Sequence, residues 1–201
     1  MQIAQVTELD NKRIRIFLED GTDFVLYKGE GRKYGIREDA ELSKEQYEEI
    51  YQEILVKRVR RRTLHLLEKT DRTEAQLRMK LRQGFYGEDL IDHAIEYVKG
   101  FHYLDDTRYA RNYVRNQKDR KSRRKIRAEL AERGIGKELA EQALDEEYGQ
   151  ETERELILKW VEKKHYSGEQ ADLKEKQKMY QFLMRKGFHS DDILHVLDYL
   201  T

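Results

Sequence analysis

Two hydrophobic periodicities divide the chain into a short N-terminal part and a long remainder. Over residues 1–36, β-branched and aromatic residues alternate partly with polar ones in three short runs. Alternation with a period of two predicts strands that bury one face. Polar residues separate the runs, and Asp20-Gly21 is a favourable sequence for a tight hairpin. We therefore predict a small antiparallel sheet formed by the runs IAQVTEL, RIRIFLE and DFVLY.

Three glycines follow the third run, in the segment GEGRKYG (29–35). Glycine-rich loops can cradle phosphate when they end in Gly-Lys-Ser/Thr and lead into a helix. This segment has neither that ending nor a helical pattern directly after it. We interpret it as a strand and turn that belong to the sheet.

The chain from residue 43 onward has apolar residues at helical spacing. Ser43 and Gln46 form the sequence pattern of a capping box, and Leu42 and Tyr47 occupy the positions of a hydrophobic staple. The chain contains no proline, so the breaks between helices are marked mostly by glycine and polar residues. We predict a succession of helices from Ser43 to the C-terminus.

The breaks between these helices recur and define an internal repeat. Leu81, Leu130 and Leu183 serve as anchors, because apolar residues stand four positions before and 10, 13 and 14 positions after each of them. A glycine followed by an apolar residue comes shortly after each anchor. This predicts a helix C-cap with an apolar residue tucked under the turn. The pairs are Gly84-Phe85, Gly134-Ile135 and Gly187-Phe188.

A preceding helix completes each repeat. In the first repeat Leu64 and Leu67 take this part, and in the other two the matching apolar residues are offset by a constant 47 positions. We predict a mostly α protein with three tandem three-helix repeats in an elongated array and a small N-terminal antiparallel β element. The offset residues are Tyr109, Ala110, Tyr113 and Val114, then Leu156, Ile157, Trp160 and Val161. The predicted divisions are 1–42 for the β element and 43–104, 105–150 and 151–201 for the repeats.

The amino-acid composition favours a protein with several small helical cores and excludes some kinds of site. Hydrophobic residues make up 38% of the 201 positions and charged residues 40%, which fits several thin helical cores better than one thick core. The chain has no cysteine, which excludes disulfides and thiolate metal sites. It has neither an apolar run of the roughly 18 residues that a membrane span needs nor a signal-peptide pattern. We expect a monomeric cytoplasmic protein that does not act at a membrane.

Charge is balanced overall but segregated along the chain. The 40 Lys and Arg residues match the 40 Asp and Glu residues. Basic residues dominate 57–82 and 108–133, whereas acidic residues dominate 134–158. The stretch RNQKDRKSRRKIRAEL (115–130) alone holds eight basic and two acidic side chains. Such blocks are typical either of solvated helix faces or of a surface that binds a polyanion or an acidic protein.

No constellation in the sequence predicts catalysis, a metal site or a cofactor. Asp105-Asp106 and Asp191-Asp192 are carboxylate pairs, but each lies where a helix is predicted to begin, so we interpret them as helix caps. The six histidines do not stand at metal-ligand spacings, and no nucleophile has a suitably placed base. We interpret Trp160 as a core residue. We expect a protein that is not an enzyme and that uses no cofactor.

Four segments carry a resemblance to a known family. They are EKTDRTEAQLRMKL (68–81), FHYLDDTRYARNYV (101–114), KSRRKIRAELAERGI (121–135) and MRKGFHSDDI (184–193). Together they resemble the RecX family, regulators of the RecA recombinase, over residues 56–201. The resemblance implies tandem three-helix repeats, no enzymatic activity, and a protein that lodges in the helical groove of the RecA–DNA filament. It also implies a role in homologous recombination, DNA repair and the SOS response.

We therefore predict that the basic blocks contact the RecA nucleoprotein filament, through RecA or through single- or double-stranded DNA, and that the protein inhibits strand exchange and ATP turnover. Arg120, Arg124 and Arg127 are predicted to form an outward row, because Ile126 and Leu130 mark the buried side of their helix. One alternative is a tandem helical DNA-binding repressor, which acidic residues at the predicted recognition-helix starts argue against. Another is a helical scaffold that binds no nucleic acid. The candidate contact residues are Lys57, Arg58, Arg60, Arg61, Arg62, Arg72, Arg111, Arg115, Arg120, Lys121, Arg123, Arg124, Lys125 and Arg127.

Overall fold

The computed structural model describes residues 1–148, 153–168 and 171–200. The predicted fold is confirmed: it is mostly α, with a small N-terminal antiparallel sheet and three three-helix repeats. The chain divides into two compact units, Met1–Asp105 and Asp106–Thr201. The first contains β1 (Ile3–Glu8), β2 (Arg13–Leu18), β3 (Asp23–Tyr27), α1 (Lys28–Lys33), α2 (Lys44–Glu49), α3 (Lys57–Lys69), α4 (Glu74–Arg82) and α5 (Glu88–Gly100). The second contains α6 (Asp106–Gln117), α7 (Arg123–Glu132), α8 (Lys137–Glu147), α9 (Glu153–Lys163), α10 (Leu173–Arg185) and α11 (Ser190–Tyr199).

The three strands form an antiparallel sheet in the order β1–β2–β3. Asp20 and Gly21 make the predicted hairpin turn, in which Gly21 has a φ of 86° and the Asp20 carboxylate accepts a hydrogen bond from the Thr22 N–H. One face of the sheet, including Ile16 and Leu26, is buried against helices of the same unit. A sheet of three short strands has little stability of its own, and here it shares one hydrophobic core with the first repeat.

The prediction of a strand and turn in the glycine-rich segment is wrong, because most of that segment belongs to α1. The carboxylate of Glu30 accepts a hydrogen bond from the Tyr27 N–H at 2.7 Å and also binds Arg58 at 2.5 Å. Gly31 is buried, and a Cβ at this position would lie 2.6 Å from Cδ1 of Ile14. The helix therefore depends on close packing against β2 and on a side chain from α3, neither of which leaves a local sequence pattern.

The first long helical region begins where the sequence predicts. The Ser43 hydroxyl accepts a hydrogen bond from the Gln46 N–H, and the Gln46 side chain accepts one from the Ser43 N–H, which completes the capping box. After α2 the backbone stays helical through a π-helical segment, Ile50–Val56, and passes directly into α3. This continuous rod supports both the sheet and the first repeat, since its buried residues belong to their common core.

The buried stripe of α3 differs from the predicted one. Leu64 and Leu67 are only partly buried, whereas Val59, Thr63 and Leu66 are buried. Thr63 is tolerated in the core because its hydroxyl donates a hydrogen bond to the Val59 carbonyl at 2.8 Å. Because threonine is polar, its place in the core does not appear in the hydrophobic pattern of the sequence, where Leu64 and Leu67 stand out instead.

The three repeat anchors are confirmed. Leu81, Leu130 and Leu183 are each 0% exposed and lie near the C-terminal end of the second helix of their repeat. In each repeat the N–H five positions later donates to the carbonyl of the anchor. This 6→1 bond is the mark of a Schellman-type helix end. The donors are Tyr86, Ile135 and Phe188.

The residue four positions after each anchor has a positive φ. It is Gly134 (81°) in the second repeat and Gly187 (92°) in the third, as the predicted glycine C-caps require. In the first repeat it is Phe85 (62°), because Gly84 lies only three positions after Leu81, and the turn of this repeat is therefore built differently from the other two. Tyr86 packs against the core in place of Phe85, which is exposed. The first repeat thus holds a bulky L-residue in a conformation that costs about 1–2 kcal/mol.

The second unit contains two hydrophobic cores, one formed by α6–α8 and one by α9–α11, and a polar junction joins these repeats. Ser122, the N-cap of α7, donates its hydroxyl to the Gly187 carbonyl at 2.7 Å and its N–H to the Lys186 carbonyl at 3.1 Å. A Cβ on Gly187 would overlap with the Cβ of Lys125. The start of α7 therefore packs directly on the backbone of the turn between α10 and α11.

Candidate partner-binding surfaces

The basic residues around the start of α3 divide into those that hold the first unit together and those that face solvent. Arg58 belongs to the first group. Its guanidinium donates to the Val25 carbonyl at 2.9 Å and to Glu30 at 2.5 Å, and lies 4.7 Å from the ring centroid of Tyr27. Only 21% of its side chain is exposed. Arg58 therefore ties α3 to β3 and α1.

Two more predicted contact residues have partners inside the first unit. Arg60 lies 3.1 Å from Nε2 of His93 and 4.6 Å from the ring centroid of Tyr97. Arg72 donates from Nε to the Leu66 carbonyl at 3.3 Å, near the C-terminal end of α3, where helix carbonyls lack partners within the helix. Both side chains are partly buried, so structural contacts account for much of their surface.

Arg61 and Arg62 are different, because they are exposed and have no ion-pair or hydrogen-bond partner among the residues that the structure describes. They line an open cleft of about 510 Å³. Lys57 also lines it and forms an ion pair with Glu53 one turn earlier. The cleft is lined by Tyr27, Glu30, Glu53, Ile54, Lys57, Arg58, Arg61, Arg62, His65 and Tyr86.

Tyr27 and Tyr86 were not predicted as site residues, although their rings form part of the cleft wall. Burial raises the pKa of the Tyr86 hydroxyl above its ordinary value, against a smaller lowering by Arg58 and Arg62. Tyr86 thus remains a neutral hydroxyl at physiological pH, able to donate a hydrogen bond to an anion. The cleft joins β3, α3 and the turn after α4, and only the fold brings these segments together.

In the second repeat four of the eight predicted contact residues pair with carboxylates of the acidic block that follows in the sequence. On α6, Arg111 donates to Glu146 at 2.9 Å and Arg115 donates to Glu147 at 2.6 Å and 3.0 Å. The hydrogen bonds from Arg115 hold the pKa of the Glu147 carboxyl below its ordinary value. These pairs connect the first and third helices of the repeat.

The arginines of α7 face the same acidic helix. Arg123 donates to Glu141 at 3.0 Å and to Asp145 at 2.5 Å, and Arg127 donates to Glu141 at 2.9 Å. The hydrogen bonds from Arg127 and Arg123 lower the pKa of the Glu141 carboxyl. Glu141 and Asp145 are one helical turn apart on α8, so two carboxylates present one row to α7.

Lys121 and Lys125 surround a carboxylate of their own segment, that of Glu129. The Lys121 ammonium donates to both Glu129 oxygens at 2.8 Å and 2.7 Å, the Tyr113 hydroxyl donates at 2.5 Å, and the Lys125 ammonium lies 3.9 Å away. The Glu129 side chain is only 12% exposed. Burial raises the pKa of this carboxyl, but the hydrogen bonds from Lys121 and Tyr113 outweigh burial, so the pKa lies below its ordinary value.

Arg120 and Arg124 are the outward members of the predicted row. Arg120 is exposed and has no partner among the residues that the structure describes. Arg124 is also exposed and donates from Nε to the Gly187 carbonyl at 3.3 Å. Arg127, the third member, is bound by Glu141. Among the described residues, the row therefore presents two cations without an ion-pair partner, rather than three.

The remaining interpretations from the sequence concern helix starts and the core. Asp106 is the first residue of α6, and Asp191 and Asp192 lie in the first turn of α11, where a negative charge stabilises the helix. Trp160 packs against the core of the third repeat as predicted. Over the described ranges, no group of three or more His, Cys, Asp or Glu side chains is placed to hold a metal ion. No helix in those ranges is long and apolar enough to cross a membrane.

Comparison with known proteins gives a consistent result. Models of the first, second and third three-helix domains of RecX match residues 60–97, 105–144 and 151–197. The regulatory protein RecX of Clostridium perfringens (strain SM101 / Type A) is 28% identical over 200 residues, which cover 98% of this chain and 94% of the relative. That of Caldanaerobacter subterraneus subsp. tengcongensis is 34% identical over 165 residues, which cover 82% and 81%. A crystal structure of regulatory protein RecX has a TM-score of 0.61 at 25% identity, covering 98% of both chains.

A crystal structure of RecX from Lactobacillus salivarius is also similar, with a TM-score of 0.59 at 27% identity over 73% of this chain and 96% of that one. The three matched segments fall on α3–α5, α6–α8 and α9–α11. The internal repeat and the three domain models therefore identify the same units in the same order. The chain belongs to the RecX family of regulatory proteins.

Proposed function

We propose that this protein binds the RecA nucleoprotein filament and inhibits strand exchange and ATP turnover by RecA. Membership of a family of regulatory proteins supports a regulatory role, and the RecA filament is the partner that the sequence resemblance implies. The protein acts as a monomer in the cytoplasm, uses no cofactor and catalyses no reaction of its own. Its contacts with the filament involve RecA, DNA or both.

The observation that carries this proposal is the pair Arg61 and Arg62, two adjacent exposed cations that line an open cleft and have no ion-pair partner among the residues that the structure describes. Guanidinium groups bind carboxylate and phosphate oxygens with charge-assisted hydrogen bonds. Two adjacent like charges repel each other, and an anionic partner removes that repulsion. Arg120 and Arg124 offer a second outward pair in the other unit.

A sequence-specific repressor is less well supported. In helix-turn-helix proteins the first turn of the recognition helix contacts base edges in the major groove. In α5 this turn carries Glu88 and Asp89, and in α11 it carries Asp191 and Asp192. These carboxylates repel the phosphate backbone that such a helix has to approach. The three-helix plan therefore does not by itself support base recognition.

The test is inhibition of RecA ATP hydrolysis on single-stranded DNA by increasing amounts of protein. We expect the wild type to inhibit, and the double reversal Arg61→Glu/Arg62→Glu to require at least about tenfold more protein, because about 1.4 kcal/mol of lost binding free energy corresponds to a factor of ten. The reversal Arg120→Glu/Arg124→Glu is measured in parallel to compare the two units. Circular dichroism establishes that each variant is folded.

The matched control is Arg37→Glu/Lys44→Glu, which makes the same change in net charge at exposed residues outside the cleft. We expect this variant to inhibit like the wild type. Equal inhibition by a folded Arg61→Glu/Arg62→Glu variant would show that the cleft is not the contact surface. Absence of inhibition by the wild type would remove the proposed function itself.

A further inference from the structure

Three lysines of the third repeat gather around two aromatic rings, and no sequence motif pointed to them. The ammonium groups of Lys163 and Lys186 lie 5.2 Å and 4.5 Å from the ring centroid of Trp160. Those of Lys164 and Lys186 lie 5.0 Å and 5.5 Å from the centroid of Phe182. The two rings meet edge to face, 5.2 Å apart. Lys186 therefore contacts both rings and shares each of them with another lysine.

These three ammonium groups have no carboxylate partner among the residues that the structure describes, unlike most cations of the second repeat. Lys186 is only partly exposed. Burial lowers the pKa of its ammonium group, and the charges of Lys121, Arg120, Lys164 and Lys163 lower it further. The fold thus surrounds Lys186 with like charges, and the residues that the structure describes supply no carboxylate partner for it.

The junction between the second and third repeats fixes this arrangement. Ser122 binds the carbonyls of Lys186 and Gly187, which holds the start of α7 against the turn between α10 and α11. Arg120 lies just before α7 and is exposed, and its charge acts on Lys186. We define Lys163, Lys164, Lys186 and Arg120 as the Lys186 cluster. Its members come from two repeats, which the contacts of Ser122 hold together.

We propose that the Lys186 cluster is a binding surface for the phosphate backbone of DNA. Three of its four cations are lysines, whose compact ammonium groups bind phosphate oxygens as point charges. Lysines already cover the rings of Trp160 and Phe182, which leaves these rings closed to stacking with bases. Contact is therefore with the backbone, and binding is independent of base sequence.

This inference rests on the proposed function, because the DNA that the cluster would contact is that of the RecA filament. Its test nevertheless uses DNA without RecA. Binding of labelled oligonucleotides of mixed sequence, single-stranded and duplex, is measured by fluorescence anisotropy between about 50 and 200 mM salt. The variant is Lys163→Gln/Lys164→Gln/Lys186→Gln. Each lost phosphate contact lowers the slope of log K against log salt by about 0.9 on duplex and about 0.7 on single strands. We expect the slope to fall by about 2 on single strands and about 3 on duplex if all three contacts are lost. The affinities of the wild type for the two forms at equal salt identify the preferred form of DNA.

The matched control is Lys44→Gln/Lys69→Gln/Lys137→Gln, which removes the same number of charges from exposed lysines outside the cluster. Its slope should equal that of the wild type, and thermal melting by circular dichroism checks the fold of both variants. An unchanged slope in the folded cluster variant would overturn the inference. So would loss of binding to a poly-glutamate peptide with DNA binding intact, which would identify an acidic protein as the partner. Because RecA inhibition by the wild type is measured separately, refutation here leaves the proposed function standing.

Discussion

The first and second repeats share a three-helix plan and a block of basic residues, but they place the charges differently. In the first repeat Arg61 and Arg62 line an open cleft and have no ion-pair partner in the described part of the chain. In the second repeat Arg123 and Arg127 face Glu141, and the other pairs along α8 follow the same pattern. The number of Lys and Arg residues in a sequence window therefore does not measure the charge that a surface presents. What decides it is whether carboxylates recur at helical spacing on the helix that packs alongside.

The cores of the two repeats differ as well. The first repeat shares its core with the sheet and the long α2–α3 rod, so its buried side chains have neighbours from several elements. The second repeat has Ala140 where the first has Ile91, and its core is confined to α6–α8. A smaller core buries less apolar surface, and each large side chain in it accounts for a greater share of the stabilisation.

Removing an anchor leucine should have the largest effect on stability. The size of that effect should differ between the core of the first repeat and that of the second. Leu130→Ala and Leu81→Ala each delete a fully buried side chain, at a cost of about 2–5 kcal/mol in free energy of unfolding. We expect the second unit to lose a larger fraction of its stability, because Ala140 and Ala143 leave little else in that core. Trp160, the single tryptophan, packs against the core of the third repeat, which the Ser122 contacts join to the second repeat. We expect the two repeats of this unit to unfold together, so that Trp160 fluorescence in urea reports on the whole unit.

The Trp160 fluorescence midpoint should therefore move strongly for Leu130→Ala and much less for Leu81→Ala. Circular dichroism, which reports on helices of both units, should register a loss in both variants. If the two substitutions shift the fluorescence midpoint equally, the cores are not the independent structures that their contacts indicate.

An intermediate effect is expected from Glu129, which receives hydrogen bonds from Lys121 and Tyr113 in the second repeat. Glu129→Gln should lower the free energy of unfolding by about 1.5–3 kcal/mol at neutral pH, the range for hydrogen bonds to charged groups. The pKa of Glu129 is lowered in the folded state, where the hydrogen bonds outweigh burial. Its stabilisation is therefore complete above the ordinary Glu pKa of about 4.3 and is lost as the pH falls through the lower folded value.

Urea unfolding of wild type and Glu129→Gln across the acid range, followed by Trp160 fluorescence, checks this sign. The difference between the two proteins should shrink as the pH falls. Glu132→Gln, at an exposed position of the same helix, provides the control and should differ little from wild type at any pH. A difference that grows toward low pH would mean that the pKa of Glu129 is raised rather than lowered.

The smallest effect on stability should come from Glu141, which pairs with Arg123 and Arg127 near the surface. Exposed ion pairs contribute about 0.2–1 kcal/mol, so Glu141→Gln should change the free energy of unfolding by no more than that. It should nevertheless raise the affinity for DNA at low salt a few fold and steepen its salt dependence, because it releases Arg127 and part of Arg123. Glu138→Gln on the same helix is the control of equal charge. Identical DNA binding by the two variants would contradict self-neutralisation of the second basic block.

Features that depend on nearby residues could be predicted from the sequence. The Asp20-Gly21 hairpin, the Ser43 capping box and the anchors Leu81, Leu130 and Leu183 each follow from a pattern within one element or from its repetition. Repetition helps because three imperfect copies of one pattern reveal what a single copy conceals. The RecX resemblance rests on the same local segments.

Features that depend on distant residues could not be predicted. Helix α1 needs Arg58 from α3, and the turn after α4 places Phe85 in the left-handed region although a glycine precedes it. Whether a basic side chain is paired or exposed also depends on distant residues, since the sequence near a lysine or arginine does not show whether it faces α8 or solvent. The acidic block can be recognised in the sequence. Its pairing with the basic block depends on how α6, α7 and α8 pack against one another, which the sequence does not reveal.

Because Ser122 donates a hydrogen bond to the Gly187 carbonyl, the three repeats are not interchangeable. Each repeat has its own N-cap at the corresponding place, Thr73 in the first and Asp172 in the third, but Ser122 also serves the neighbouring repeat across 65 residues. Its partner must be a glycine whose missing side chain makes room for α7. A chain with its repeats shuffled or duplicated would separate this serine from its glycine and leave a buried hydroxyl without an acceptor. Ser122 and Gly187 thus constrain the order of the second and third repeats. A natural or engineered recombination between repeats would have to move these two residues together.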